Sequence, residues 1–297
     1  MHPFVPALRI LCCYSGCLIL AVGACASSAG CGYGTYERRM EETKAFFHYR
    51  EQQNLNLTSE WRGPGVRLRV PIQFEQIDGP QRSQPDETRT EDNNEPARPV
   101  DPRQPKYLKA RLPGLAEAWR ADVSSNNQQY DKLPAYIYVM SNSDLWQAGV
   151  NEEESLDFNN HVASAVVAGL GVTFPAAEDW NEEEYPRGKG FVSKKSFRTT
   201  TIKATLRLPV TVQSGTSDKD VEAPPIDCEC KIVLAESEDM RAVLLFVIPQ
   251  QIDERREKLS LQRGDSRIAR CLETFSLSSK RPGRAGKSKA RRRGTGF

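Results

Sequence analysis

The sequence predicts an α+β fold, an antiparallel sheet with helices packed on it, and three observations support this class. The predicted elements run as helix, two strands, helix, three or four strands and helix, without the regular crossover helices of a parallel sheet. The strands are not gathered in the pattern of a sandwich. The most apolar run of the body, Leu244–Ile248, predicts a central strand.

Five segments have the composition and alternation of strands, and a sixth is expected as a short irregular element or strand near Ala118–Ala121. Pro71 places the first strand at an edge or a bulge, because proline donates no ladder hydrogen bond. A hairpin is expected around Glu236–Asp239. The five segments are Arg67–Ile77, Leu133–Ser141, Arg198–Val212 as one strand or two, Cys228–Ala235 and Arg241–Ile248.

Four segments predict helices. In the first, Tyr36, Met40 and Phe47 fall near one face. In the second, Asn151 and Glu154 resemble a capping box, and the glycines at 169 and 171 mark the end. The four segments are Thr35–Asn54, the helix that begins at Asn151–Glu154, Ile252–Gln262 and Ser266–Phe275.

The composition divides the chain into one folded domain and three other segments. Residues 78–106 contain six prolines and twelve charged residues but no aromatic residue, so they are predicted to be a disordered acidic, proline-rich insertion. Residues 278–297 are predicted to be a disordered basic tail. Residues 32–77 and 107–277 then form a single α+β domain, and residues 1–31 precede it.

The N-terminal residues have the layout of a bacterial lipoprotein signal peptide. No charged side chain occurs between Arg9 and Glu37, and an apolar stretch is followed by small residues next to cysteine. Cys25 follows Val-Gly-Ala and Cys31 follows Ser-Ala-Gly, so either cysteine fits as the site of lipid attachment. A plain secretory signal and an uncleaved membrane anchor are the alternatives.

The C-terminal tail concentrates positive charge. It has no acidic residue, whereas the rest of the chain carries an excess of acids. Such a segment can bind polyanions by neutralising charge and releasing counterions, or it can be a solubilising tail without a partner. The eight candidate polyanion-binding residues are Lys280, Arg281, Arg284, Lys287, Lys289, Arg291, Arg292 and Arg293.

No known catalytic motif is found, whether a nucleophile elbow, a phosphate loop, a dinucleotide fingerprint or a zinc-protease helix. The acidic runs Glu152–Glu154 and Glu182–Glu184 could supply paired carboxylates for a hydrolase, although such runs are more typical of a helix start and a solvated loop. Tyr138 and Trp180 could line a pocket or belong to the core. We therefore assign no catalytic residue and no cofactor.

The body of the chain keeps three cysteines. Cys228 and Cys230 share one face of a strand, and a disulfide from one of them to Cys271 is possible, but small buried thiols are the favoured interpretation. No paired Cys-x-x-Cys or His-x-x-His spacing occurs, so no metal site is predicted.

The segment Tyr33–Thr43 directly after a cysteine, with Arg67–Pro71 shortly afterwards and the insertion ending in Val100–Pro105, resembles a group of uncharacterised planctomycete-type bacterial lipoproteins. This resemblance covers most of the body and implies Cys31 as the modified cysteine, because the helix of that group starts close behind the anchor. It implies no activity. The order of elements is also similar to the PsbP-like α+β sandwich, an analogy that implies binding or assembly.

Together these features predict an exported, lipid-anchored and non-enzymatic envelope protein that faces the periplasm or the cell exterior. Its expected role is binding or assembly with an envelope partner that the sequence does not name. The alternatives are a polyanion-binding protein that acts through the basic tail and an exported hydrolase that depends on carboxylates.

Overall fold

A computed structural model of the chain describes residues 34–80, 101–126, 130–148, 155–187, 191–209 and 224–278. Contacts within the chain define two compact units, residues 1–53 and 54–297, which are described separately. The signal with Cys25 and Cys31, the acidic run Glu152–Glu154 and the basic tail from Lys280 lie outside the described residues. The same is true of residues 81–100 of the predicted insertion.

Helix α1 spans residues 34–56 and confirms the first predicted helix; its residues 34–53 belong to the first unit. Tyr36, Met40 and Phe47 have exposed fractions of 62%, 53% and 65%. Their spacing places them on one face of the helix. The first unit therefore carries an exposed apolar stripe.

The described residues of the second unit form ten strands, which we number in chain order. They are β1 Trp61–Gly63, β2 Val66–Leu68, β3 Glu75–Gln76, β4 Leu115–Ser124, β5 Lys132–Ser141, β6 Asn181–Tyr185, β7 Lys195–Arg207, β8 Pro225–Ser237, β9 Met240–Pro249 and β10 Ser276–Leu277. β1, β2 and β10 form a small antiparallel sheet, and the other seven form the main sheet in the order β3-β4-β5-β9-β8-β7-β6.

The centre of the main sheet agrees with the sequence prediction. β9 lies fourth of seven, between β5 and β8, and its apolar run is fully buried. β8 and β9 form the predicted hairpin, with Ser237 opposite Met240 and Glu238 in the turn at a φ of 48°. β7 is a single strand over the described part of the predicted segment Arg198–Val212. The fold is α+β with an antiparallel sheet, as predicted.

The predicted strand Arg67–Ile77 is wrong as a continuous element. The structure forms β2 and β3 at its two ends, and between them Pro71 makes an isolated bridge to Leu57. Ile72, predicted to alternate inward, is 50% exposed. Proline interrupts the ladder at this point, so the chain turns and the two halves join different sheets. The sixth segment, by contrast, is the ten-residue strand β4.

Four further helices lie wholly within the described residues of the second unit: α2 Ser143–Ala148, α3 Phe158–Leu170, α4 Glu254–Glu257 and α5 Arg267–Thr274. Residues 155–156 are also helical, and a bend at Asp157 separates them from α3. Gly171 ends α3 in the left-handed conformation with a φ of 71°, as the glycine pattern predicted. Ser266 caps α5 by accepting a hydrogen bond from the Ala269 amide. The predicted helix Ile252–Gln262 is wrong, because it stops after four residues where Lys258 takes a φ of 54°.

The main sheet separates two layers. Side chains alternate along β8, so Lys231 lies on one face while Cys230 and Glu236 lie on the other. The small sheet, α4 and α5 cover the face of Lys231, as the contact between Phe275 and Phe197 shows. α3 covers the opposite face, where Asn159 contacts Glu236.

The end of the predicted insertion belongs to this packed unit. Arg103 is 16% exposed, donates a hydrogen bond of 2.7 Å to the Ala116 carbonyl and forms an ion pair with Asp101. Residues 101–106, which the sequence analysis placed in the insertion, therefore anchor the chain against β4.

Candidate functional site

The main sheet splits between β7 and β8. Their pairing stops at Arg198 and Leu234, although β7 begins at Lys195 and β8 continues to Ser237. Beyond the split, β7 pairs only with β6 and β8 only with β9. An open cleft of about 290 Å³ lies there, lined by Lys195–Phe197, Ala235–Ser237 and Phe275–Leu277. We call it the split cleft.

Lys195 is fixed at one side of the split cleft. Its Nζ donates hydrogen bonds to the Glu273 carbonyl at 3.1 Å and the Phe275 carbonyl at 2.6 Å. These are the last carbonyls of α5, where a cation is favoured by the helix dipole. Burial lowers the pKa of Lys195, and the nearby charge of Glu273 opposes that change only in part. The ammonium is thus held in place by carbonyl groups, and no carboxylate of the described residues forms an ion pair with it.

Buried aromatic rings lie beneath the cleft beside Lys195, since Phe197 is 5% and Phe275 1% exposed. The rings of Phe197 and Phe275 meet edge to face with their centroids 5.7 Å apart, and Phe197 also packs against Tyr185 at 6.0 Å. Leu277 adds partly exposed apolar surface to the cleft. Apolar surface with a few fixed polar groups is the usual composition of a small-molecule site.

Asn159 and Arg241, which lie close to the split cleft, each have a buried polar atom without a hydrogen-bond partner among the described residues. Asn159 is 4% exposed, and its Nδ2 donates to the Ala235 carbonyl at 3.3 Å and to Glu236 Oε1 at 3.2 Å. Its Oδ1 has no hydrogen-bond partner among the described residues, and the same holds for Arg241 Nε, which lies 3.7 Å from Glu236 Oε2. A water molecule or a ligand group is needed to satisfy them.

A second lysine of the same sheet face sits in a closed ion-pair cluster. Lys231 is 1% exposed, and its Nζ donates to both carboxylate oxygens of Glu183, at 2.8 and 2.9 Å. Tyr185 donates to Glu183 Oε2 at 2.6 Å, Thr199 donates to Oε1 at 2.8 Å, and Arg187 also pairs with this carboxylate. We call this group the Glu183 cluster.

The electrostatics of the Glu183 cluster favour the charged pair. Burial favours a neutral carboxyl, but hydrogen bonds from Lys231 and Tyr185 outweigh it and lower the pKa of Glu183 to about 2. Burial, together with the bond to Glu183, raises the pKa of Tyr185. Every oxygen of the carboxylate is occupied, so the cluster holds edge strand β6 against the sheet and leaves no group placed to act as an acid or base.

A separate open cleft of about 340 Å³ brings two carboxylates together. It is lined by Glu229 of β8 and Glu254 of α4, and the Glu254 carboxylate accepts a hydrogen bond from the Ser260 amide at 3.1 Å. Burial raises the pKa of Glu254, and the charge of Glu229 adds to the effect. The sequence analysis did not select either residue.

The acidic run Glu182–Glu184 is a strand, not the predicted solvated loop. Glu182 and Glu184 lie exposed on one face of β6, with Glu184 bonded to Lys194, whereas Glu183 turns to the other face and enters the cluster. Alternation along the strand separates the carboxylates, so these three acids do not form the pair that a hydrolase would need. The run Glu152–Glu154 lies outside the described residues.

The two aromatic residues that could have lined a pocket belong to the packed interior. Tyr138 is 1% exposed, and its hydroxyl lies 2.8 Å from the hydroxyl of Tyr107. Trp180 packs partly buried against the core, with the Arg198 guanidinium 5.0 Å from its ring centroid. Neither contributes to the two clefts described above.

The three described cysteines are free and buried. Cys228 and Cys230 face α3, while Cys271 lies on α5 across the sheet, so the possible disulfide between them is ruled out. Burial raises the pKa of all three thiols, which keeps them protonated and unreactive. Within the described ranges no group of three or more His, Cys, Asp or Glu residues could hold a metal ion.

Lys195, Lys231 and Asn159 were not predicted from the sequence as residues of a site or a buried cluster. A usable signal existed for Lys231, because a lysine directly before the apolar run Ile232–Ala235 needs a partner when it is buried. Lys195 lies just before the predicted strand Arg198–Val212, and its spacing puts it on the same strand face as Phe197 and Thr199. No local signal marks Asn159, whose role depends on α3 reaching β8.

Comparison with known proteins adds no relative. No model of a protein family matches the chain, and no curated protein shows significant sequence similarity to it. Among the helices that the structure describes, none is both long and apolar enough to cross a bilayer. The function therefore has to be argued from the clefts, the clusters and the sequence.

Proposed function

We propose that this protein is exported, anchored to an envelope membrane through a lipid on Cys31 or Cys25, and serves as a binding module without catalytic activity. The split cleft is its binding site. The N-terminal sequence supports the anchor, because it has the order of a basic start, an apolar stretch and small residues before cysteine.

The observation that carries the binding role is the split of the main sheet between β7 and β8. It leaves an open cleft with a fixed ammonium and apolar surface. Binding is favoured over catalysis because the nearby titratable groups of the Glu183 cluster are held in a complete ion-pair network. A fixed ammonium beside apolar surface is a composition suited to recognising a ligand.

The anchor is tested by intact mass and membrane fractionation of the wild-type protein and of the Cys25→Ser and Cys31→Ser variants. We expect a lipid-sized mass increment and membrane retention, both lost in one of the two variants. An unmodified, full-length product in the soluble fraction of wild-type cells would contradict the proposal.

The binding role is tested by photo-crosslinking in cells, with a photoreactive amino acid at Ser276 on the rim of the split cleft. The matched control carries it at Glu75, an exposed position on β3 at the opposite edge of the sheet. We expect an adduct of defined mass from position 276 alone. No adduct from position 276, or the same adduct from both positions, would rule out the cleft as the binding site.

A second candidate function is polyanion binding through the C-terminal tail, favoured by its eight basic residues and lack of acids. Deleting residues 280–297 should then shift elution from heparin to lower salt. Retention unchanged by the deletion would eliminate this candidate. The binding role of the split cleft does not depend on the result.

A further inference from the structure

We infer that the split cleft binds a small apolar molecule by its carboxylate, with the ammonium of Lys195 as the anion-binding group. This inference rests on the proposed function and names the class of ligand. The shared chemistry, an apolar body that ends in a carboxylate, occurs both in small organic acids and at the C-terminus of a peptide with an apolar last residue.

Lys195 has one N–H donor that the described residues do not use. An ammonium group has three N–H donors, and the protein accepts two of them, at the Glu273 and Phe275 carbonyls. No described carboxylate lies within ion-pair distance of this Nζ. The two carbonyl bonds fix the direction of the group, so the third donor and the positive charge are left for a ligand at the mouth of the cleft.

A second feature is the balance of charge around the cleft. Glu236 is the other charged residue of the lining, and it already interacts with Asn159 and Arg241. The charge of Glu273 acts on Lys195 from farther away, but the described residues give Lys195 no counterion at ion-pair distance. A ligand carboxylate supplies one, whereas a ligand amine would face an uncompensated like charge.

A third feature is the shape of the cleft. Leu277 offers partly exposed apolar surface in the cleft, backed by the buried rings of Phe197 and Phe275, and the volume of about 290 Å³ is at the small end for ligand sites. The hydroxyls of Ser237 and Ser276 lie in the same lining and can donate to a second carboxylate oxygen. These features fit a short apolar body with one acid group and not a long chain.

The test compares 3-phenylpropanoate with 3-phenylpropylamine and 3-phenylpropanol, which share one apolar group. The full chain in nonionic detergent is treated with limiting acetic anhydride, and acetylation of each lysine is read by peptide mass spectrometry. We expect the acid alone to protect Lys195. Lys194, which is exposed and paired with Glu184, is the internal control. Because the amine probe also consumes anhydride, acetylation of Lys195 is expressed relative to that of Lys194 in the same sample.

The two sources of the carboxylate are separated with acetyl-Phe-Leu as the free acid and as the amide. Protection of Lys195 by the free acid as well as by 3-phenylpropanoate means that the cleft accepts a peptide C-terminus. Protection by 3-phenylpropanoate alone restricts it to small organic acids. Either result supports the inference.

The matched variants are Lys195→Met and Lys194→Met, compared by calorimetric titration with the acid and the alcohol. A lost hydrogen bond to a charged group should weaken binding of the acid about tenfold or more in Lys195→Met, with no change in Lys194→Met. Binding of the alcohol should be the same in both. If Lys195→Met does not fold, the labelling of the wild-type protein decides.

Equal protection by acid, amine and alcohol would overturn the inference and leave the binding function in place. If no probe protects Lys195 but a crosslink forms at position 276, the inference is also overturned and the binding function stays, because the cleft then binds another class of ligand. Failure of every probe and of the crosslink would overturn both.

Discussion

Two lysines on the same face of the main sheet meet opposite surroundings. Lys231 of β8 is held by both oxygens of Glu183 and is 1% exposed. Lys195 of β7 is bonded only to two backbone carbonyls and lines an open cleft. The position of the one inward-facing acid of β6 therefore decides which lysine is structural and which is available to a ligand.

Strand alternation explains that distribution. Of the three glutamates in β6 only Glu183 faces the sheet interior, where its neighbour in register on β7 is Phe197. The residue of β6 paired with Lys195 is Tyr185, which has no negative charge to offer. Lys195 therefore donates its hydrogen bonds to carbonyls at the end of α5 and forms no ion pair with a described carboxylate.

The largest effect expected from this comparison comes from Glu183→Gln. The substitution leaves Lys231 buried without a counterion, which should lower the free energy of unfolding by about 3 kcal/mol. Urea denaturation measures it. Glu184→Gln, at the exposed next position, should cost about 0.5 kcal/mol or less, since surface ion pairs contribute little. Equal effects of the two variants would show that the Glu183 cluster is not stabilising.

The second largest effect is expected in the double variant Glu183→Gln, Lys231→Met, which should recover part of the free energy of unfolding that Glu183→Gln loses. Removing the buried cation along with its partner abolishes the unpaired charge, and the methionine side chain keeps most of the apolar packing. The double variant should regain about 2 kcal/mol relative to Glu183→Gln in the same urea experiment. A loss equal to the sum of the two single variants would contradict the pairing.

The pH dependence of stability sharpens the same comparison. The pKa of Glu183 is lowered to about 2 in the folded protein from an ordinary value of 4.5. Its stabilising contribution is therefore complete above about pH 4.5 and is lost as the pH falls toward 2. Urea midpoints between pH 5 and 2 should fall more steeply for the wild type than for Glu183→Gln. Parallel curves would exclude Glu183 as a source of this slope.

The smallest expected change in the free energy of unfolding is that of Lys195→Met. Lys195→Met removes two hydrogen bonds at the end of α5, which should cost about 1 kcal/mol in urea denaturation. Lys194→Met should be near neutral. A loss as large as that of Glu183→Gln would mean that Lys195 is a structural residue like Lys231, and the comparison between them would fail.

Part of this molecule could be predicted from local pattern. The run Leu244–Ile248 is apolar on both faces, so it had to be a central strand, and Ser266 before an amphipathic segment marked α5. Strand β6 could not be predicted in this way, because its residues Asn-Glu-Glu-Glu-Tyr have low strand propensity. Pairing with β7 and the ion pair to Lys231 make it a strand.

The fold class, the central hairpin and the expectation of a lipid anchor follow from local sequence, since they depend on periodicity and composition within short stretches. The place where β7 and β8 part, the glutamate that pairs with Lys231 and the carbonyl partners of Lys195 follow from tertiary packing. These are contacts between residues far apart in the chain. They depend on register and on how the layers pack, and no local pattern encodes either.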